Sequence, residues 1–288
     1  MGRNPGGMRN ISMAVILSAR SCLLCFLLTF ACASFASELR FDGQFVQGGL
    51  ITGYTVPGAR VTFDERNVRV SGDGVFLIGF GRDAKPESTL EIAFPDGRKT
   101  ARRLEIAKRN YKIQRIDGLP PRKVTPKPED MKRIHKEAAL IKTARQRDEP
   151  RTDFLGGFIW PAMGRISGVY GSQRVLNGVP RRPHFGVDVA APVGTPVVAP
   201  TDGVVTLAQP DMFFSGGTLV IDHGHGLSSS FLHLSEVLVK TGDRIKKGDL
   251  IARIGATGRV TGAHLDWRMN LFEARIDPQL LVGEMPEK

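Results

Sequence analysis

Past residue 37 the sequence contains no cysteine; Cys22, Cys25 and Cys32 all fall before it. That excludes a cysteine hydrolase and a disulfide framework in the rest of the chain. No apolar run is long enough to span a bilayer comfortably, the nearest candidate being the short stretch from Cys22 to Ala31. No histidine and no cluster of catalytic residue types occurs between 38 and 118. Arg3, Arg9 and Arg20 precede the apolar stretch, and Ser34-Phe35-Ala36 follows it. This order reads as a secretory signal peptide over 1–37, cut near Ala36 or Ser37. A lipoprotein cut before Cys32 fits less well, because Thr29-Phe30-Ala31 is a poor match to the usual pattern. The expected location is therefore outside the cytoplasm, in the periplasm or cell envelope, with membrane contact only through this segment.

The net charge is +11, and removing 1–37 takes away three arginines and no acid, leaving +8. Such a charge suits an anionic polymer such as cell wall, or simply solubility. Nucleic acid is not the expected partner, since export removes it and the basic residues are dispersed.

The expected fold class is all-β. Residues 38–118 form a small β-sandwich, 119–151 a Pro-rich and helical linker, and 152–288 a second antiparallel domain. In the first domain, Pro57-Gly58, Asp73-Gly74 and Asp96-Gly97 separate runs such as Val75-Phe76-Leu77-Ile78 and Thr89 to Phe94. This part reads as a spacer or wall-docking module. In the linker, Pro120-Pro121, Pro126 and Pro128 give an extended entry. Pro128-Glu129-Asp130 then starts a helix. Met131, Ile134, Ala138 and Ile141 share one of its faces, and Lys132, Lys136, Lys142 and Arg145 are expected in solvent. The apolar stripe is a docking surface, or else a cover for a groove in the second domain. Short runs at 197–198, 204–205, 219–221, 228–232, 237–239 and 250–254, separated by turns such as Asp202-Gly203 and Gly216-Gly217, give an antiparallel sheet structure.

Within that second domain, three separated points combine histidines with carboxylates: His184-Phe185-Gly186-Val187-Asp188, the isolated His233, and His264-Leu265-Asp266. This set suits a metal site on a β scaffold. Alternation puts His264 and Asp266 on one face and Leu265 and Trp267 on the other. His184 and Asp188 also share a face, but a straight strand would hold their Cα atoms about 13 Å apart. Gly186, between them, permits the bend that convergence requires. His223 and His225 look like a further pair, but glycines surround them and mark a turn, so both are read as surface residues. Arg174 and Asn177 lie on the loop leading to the site and are candidates for substrate contact.

The order His-x-x-x-Asp, His-Leu-Ser, Thr-Gly-x-x-His-x-[His] resembles the M23 (lysostaphin/LytM-type) zinc metallopeptidases over about residues 160–280. The framework also matches at Gly194-Thr195-Pro196-Val197, Ala199 to Gly203, Ile221 to Gly224 and Gly255 to Arg259. The resemblance implies a barrel-sandwich-like core and an exported metal-dependent endopeptidase acting on peptidoglycan. It implies His184, Asp188 and position 266 as metal ligands. His233 and His264 would then activate the water and stabilise the oxyanion. The family places a second histidine where this chain has Asp266. One imidazole and two carboxylates would leave a zinc centre with zero net charge, a weaker acid catalyst. They would also admit Mn²⁺ or another oxygen-preferring divalent ion beside Zn²⁺. The alternative is a degenerate, non-catalytic LytM-type domain that binds cell wall or activates a cell-wall amidase, with divisome or amidase proteins as partners. Residues 239–251 resemble a biotinyl or lipoyl hairpin but lack its modification tripeptide, so they indicate shared architecture only.

Overall fold

The computed structural model describes residues 39–286. The expected signal peptide over 1–37, with all three cysteines, lies outside the described residues. Alternating apolar positions dictate the first seven strands. These are β1 (Arg40–Gly43), β2 (Leu50–Tyr54), β3 (Arg60–Phe63), β4 (Arg66–Val68), β5 (Val75–Gly79), β6 (Glu87–Ala93) and β7 (Lys99–Glu105). They build two antiparallel sheets, ordered β1-β2-β5 and β4-β3-β6-β7. In β6, Leu90 and Ile92 point inward opposite Phe63 and Val61 of β3, while Glu87 and Glu91 face water. Ile51, Phe76 and Ile78 meet them from the other sheet in one apolar cluster.

The chain then gives β8 (Ile113–Ile116), a single turn α1 (Pro121–Val124) and the long helix α2 (Pro128–Arg145). Pro128 suits the first turn, where its missing N–H costs nothing. The Asp130 carboxylate accepts the Lys127 amide at 3.1 Å and is itself held by Arg122. The remaining strands are β9 (Arg165–Gly168), β10 (Gln173–Leu176), β11 (Val179–Pro180), β12 (Val187–Ala190), β13 (Pro196–Val198), β14 (Gly203–Met212) and β15 (Gly216–Asp222). They continue with β16 (Leu227–Val237), β17 (Arg244–Ile245), β18 (Leu250–Ile254), β19 (His264–Leu271) and β20 (Ala274–Ile276), before the short α3 (Gln279–Val282). Ten of these strands form one sheet with the path β17-β14-β15-β16-β19-β12-β9; β13, β18 and β20 join from the side. All its pairings are antiparallel, so the all-β expectation holds. No helix among the described residues is long and apolar enough to cross a membrane.

Two connections tie the early part of the chain to the later part. Strand β8 pairs in parallel with β10 in a small separate sheet ordered β11-β10-β8, joining residues 113–116 to 173–176. Strand β5 is apolar on both faces: Phe76 and Ile78 enter the cluster just described, whereas Val75 and Leu77 enter the core of the ten-stranded sheet. Leu50 and Ile51 on β2 divide in the same way. The β1-β2-β5 sheet is thus a middle layer shared by two cores.

Helix α2 packs Ile141 and Ala144 against Leu207, Met212 and Val220 of β14 and β15. Its Glu137 accepts the backbone amide of Phe213 at 2.7 Å. Arg145, expected in solvent, is only partly exposed and donates to Ser230 Oγ of β16.

His223 and His225 are not surface residues; they are 0% and 2% exposed. The His223 ring bridges the Asp202 carbonyl and Ser229 Oγ, both at 2.7 Å. His225 lies edge-on to Phe154. Their glycine-flanked turn is folded under residues 149–154, which explains the failure of the surface reading: the His225 amide donates to Glu149 O.

Two outcomes follow from these cores. Leu77→Ala empties space in the shared layer and should cost about 2–5 kcal/mol, with both halves still unfolding in one transition. Urea melts followed by separate probes in each half check this, and two separated transitions would show the layer is not shared. Burial lowers the His223 imidazole from 6.5 to about 4. A folded-state value below the unfolded one contributes stability that is present above pH 6.5 and lost as pH falls towards 4. The stability gap between the unsubstituted protein and His223→Asn should therefore shrink by about 3 kcal/mol between pH 7.5 and pH 4. A gap constant with pH would refute the buried neutral imidazole.

Candidate metal centre

Strands β12 and β19 run side by side with Asp188 directly opposite Asp266 and Ala190 opposite His264. Both carboxylates are buried, at 5% and 0% exposure. Like charges facing each other across a strand pair are unfavourable, and burial makes the arrangement worse. It persists only with cations between or beside them. The expected bend before Asp188 is present: β12 begins at Val187, after Gly186, so His184 approaches from outside the strand. A Cβ on Gly186 would sit 2.6 Å from Asp266 Oδ1 and 2.5 Å from the Trp267 carbonyl, so only glycine admits this path. Gly168 on β9 makes equivalent room for the Asp188 carboxylate, at a register shift between Asp188 and Val189.

His184 Nε2 ends 3.0 Å from Asp188 Oδ1 and 3.4 Å from Asp266 Oδ1. One ligand atom from each residue lies within 4.8 Å of the other two. Zinc ligands at about 2.0–2.2 Å in a tetrahedron stand about 3.3 Å apart, so these separations match its edges. Both nitrogens of His184 and Asp188 Oδ1 are buried without a hydrogen-bond partner. Orphaned polar atoms are costly; of these, Nε2 and Asp188 Oδ1 face the same point as Asp266 Oδ1, while Nδ1 lies on the far side of the ring. The residues present therefore fit a divalent ion. Trp267, on the opposite face of β19, is fully buried against Trp160, beneath the site as expected.

The catalytic candidates lie beside this cluster. The rings of His233 and His264 are 4.8 Å apart, centroid to centroid, and His264 Nε2 is 3.9 Å from Asp188 Oδ1. His233 Nδ1 faces the Thr257 carbonyl at 2.8 Å, and His264 Nδ1 faces the Gly262 carbonyl at 2.9 Å. A carbonyl only accepts, so each Nδ1 carries a proton and each Nε2 is left to exchange one. Burial lowers His233 to about 4, so it is neutral at neutral pH. It holds a left-handed backbone, φ 67°, a strained geometry in a non-glycine residue.

Two arginines change the electrostatics expected from the ligands alone. Arg268 donates Nε to Asp266 Oδ1 at 2.9 Å and Nη2 to Oδ2 at 2.5 Å, a two-pronged pair. Arg174 donates to Asp188 Oδ2 at 2.7 Å. The two guanidinium groups cancel the two carboxylates, so a bound divalent ion keeps its full charge instead of being neutralised. Burial alone would raise both carboxyl groups. Arg268 and His184 reverse this at Asp266, which stays well below the usual range, and His184 and Arg174 do so at Asp188. Both are ionised; Asp188 and Asp266 in turn raise the His184 imidazole against its burial, and an ion held there would displace that proton. Arg268 escaped the sequence reading, although period-two alternation places it on the face of His264 and Asp266. Arg174, a candidate for substrate contact by its position in the sequence, holds a site carboxylate and also lines the neighbouring cavity. Asn177 turns away from the site: its side chain exchanges hydrogen bonds with the backbone of Leu119.

The model of peptidase family M23 matches residues 182–278. The chain is 42% identical over 107 residues to the peptidoglycan DD-endopeptidase ShyA of Vibrio cholerae, covering 36% of this chain and 24% of ShyA. It is 40% identical over 106 residues to the DD-carboxypeptidase/endopeptidase Mpg of Neisseria gonorrhoeae, covering 37% and 24%. The chain thus spans about a quarter of the length of these curated relatives. A crystal structure from Pseudomonas aeruginosa assigned to peptidase M23 aligns with TM-score 0.66 at 31% identity, covering 83% of this chain and 96% of that one. That alignment takes in the early strands as well as the sheet that carries His184, Asp188 and Asp266, and on this ground the chain belongs to peptidase family M23.

Proposed function

We propose that this protein is a metal-dependent endopeptidase that hydrolyses peptide bonds in peptidoglycan, acting in the cell envelope after export. The observation that carries the reading is the set of buried, unpartnered ligand atoms of His184 and Asp188, closed by Asp266 at tetrahedral spacing. ShyA and Mpg, both named as endopeptidases, support the same chemistry and substrate. His184, Asp188 and Asp266 would hold Zn²⁺, with Mn²⁺ admitted by the two carboxylates. Such an ion supplies a Lewis acid for the scissile carbonyl and makes water a nucleophile near neutral pH.

The chain's own groups do the rest. His233, neutral and with its Nδ1 proton committed to Thr257, offers Nε2 as the base that takes a proton from the attacking water and returns it to the departing amine nitrogen as the peptide bond breaks. His264 is oriented in the same way by Gly262; once protonated, its Nε2–H donates to the oxygen of the tetrahedral intermediate. Arg174 and Arg268 keep the two ligand carboxylates ionised and fixed in rotamer.

A second reading has its own observation. Both oxygens of Asp266 already bond Arg268, so the guanidinium could stand in for the metal and leave a wall-binding or amidase-activating module. Each carboxylate oxygen accepts more than one bond, so Asp266 Oδ1 can serve Arg268 and an ion together.

Metal analysis with a muropeptide digest separates the two. The purified protein should hold about one divalent ion per chain, release muropeptides, and lose both properties on chelation or in His184→Ala. A protein that takes up neither zinc nor manganese and releases nothing overturns the enzyme reading. For Asp266→His, activity comparable to the unsubstituted protein is expected; activity found only in that variant would establish the binding module.

A further inference from the structure

Between α2 and the floor made by β16 and β19 lies a cavity of about 880 Å³, which His233 also lines. Its size is at the upper end of small-molecule sites, about 300–1,000 Å³. Ile134, Ala138 and Ile141 of α2 form an apolar roof, and Phe185 and Leu232 contribute apolar wall. Seven arginines and Lys142 line the same space, against a single acid, Glu273. Two of the arginines, Arg174 and Arg268, are committed to Asp188 and Asp266.

The other five meet no carboxylate among the described residues. Arg145 donates to Ser230 Oγ, and Arg275 to Asn270 Oδ1 at 3.2 Å. Arg259 reaches the Lys123 carbonyl at 3.4 Å and lies over the Phe214 ring, 4.7 Å from its centroid. Arg181 donates Nη2 to the Val124 carbonyl at 2.6 Å, while its Nε is buried without a partner. Arg182 is exposed at the cavity wall. Unpaired cations in a partly dry space are costly, and proteins gather them where an anion binds. The arginines also press on one another: burial and neighbouring guanidinium groups lower Arg259 and Arg275 to about 10. Arg275 feels Arg268 and Arg182 against Glu273, whereas Arg259 feels Arg174, Arg268 and Arg181 against Asp266.

We propose that this cavity is an anion-reading subsite for an acidic peptide with at least two free carboxylates, seated beside Arg268 and His233. This rests on the peptidase reading above and gives it a substrate charge class. The apolar roof suits a peptide's aliphatic portions. The guanidinium forks suit carboxylates, which they can grip through two parallel hydrogen bonds.

The test measures binding to the full chain carrying His264→Ala, so that no peptide is consumed. The probes are a fluorescent tetrapeptide with free side-chain and terminal carboxylates, and its fully amidated counterpart, at low ionic strength. The free acid should bind about tenfold or more tightly than the amide, from the worth of one charge-assisted pair. Arg275→Gln and Arg182→Gln should each remove much of that preference without altering binding of the amide; Arg182 is exposed, so its variant tests the site even if Arg275→Gln misfolds. Equal affinity for the two peptides, or loss that is the same for both, overturns the proposal. Inorganic polyphosphate that binds more tightly than the acid peptide, through the same arginines, overturns the peptide as occupant. A carboxylate preference in a protein whose unsubstituted form cleaves nothing sinks the peptidase reading and leaves this subsite standing. Cleavage of free and amidated peptides with the same kcat and KM does the reverse.

Discussion

Asp188 and Asp266 face each other on neighbouring strands, both shut away from water, and most of the site's architecture answers that repulsion. An antiparallel pair brings opposed side chains to within about 5 Å. In a dry interior neither group stays ionised without compensation. His184 enters between them from a glycine bend, and a guanidinium closes each carboxylate from behind. The outcome is a rigid, charge-balanced pocket whose remaining lone pairs point to one place. Geometry of this kind is held before any ligand arrives, which is what a hydrolytic metal site requires.

Exchange of an imidazole for a carboxylate at position 266 need not weaken such a centre. The added negative charge arrives with an arginine two residues along the same strand, on the same face. A histidine ligand contributes no charge, and an aspartate locked to Arg268 contributes none in sum. The charge added by that exchange is thus offset within the protein by Arg268. What differs is bulk and direction: the guanidinium extends the site into the cavity under α2.

Much of this was legible in the sequence. The turn dipeptides marked the strands, Pro128 marked the start of α2, and the spacing of His184, Asp188, His264 and Asp266 indicated their convergence. Local pattern failed where burial came from distant chain. His223 and His225 sit in a glycine-flanked turn that looks exposed, yet residues 149–154 lie over it. Arg145 follows a row of solvated lysines, but the last turn of α2 carries it onto Ser230, 85 residues away. Arg268 could have been found, since strand alternation alone puts it on the ligand face. The parallel pairing of β8 with β10 has no counterpart in any nearby run of sequence.

The middle sheet carries a consequence for how such chains are assembled over evolutionary time. Because β2 and β5 present apolar side chains in both directions, severing the chain in the proline-rich stretch would leave a greasy wall on each fragment. Changes at Val75 or Leu77 must therefore be accommodated by residues of the large sheet, such as Leu271 and Ile276, so the two parts of the chain are coupled in the substitutions they tolerate.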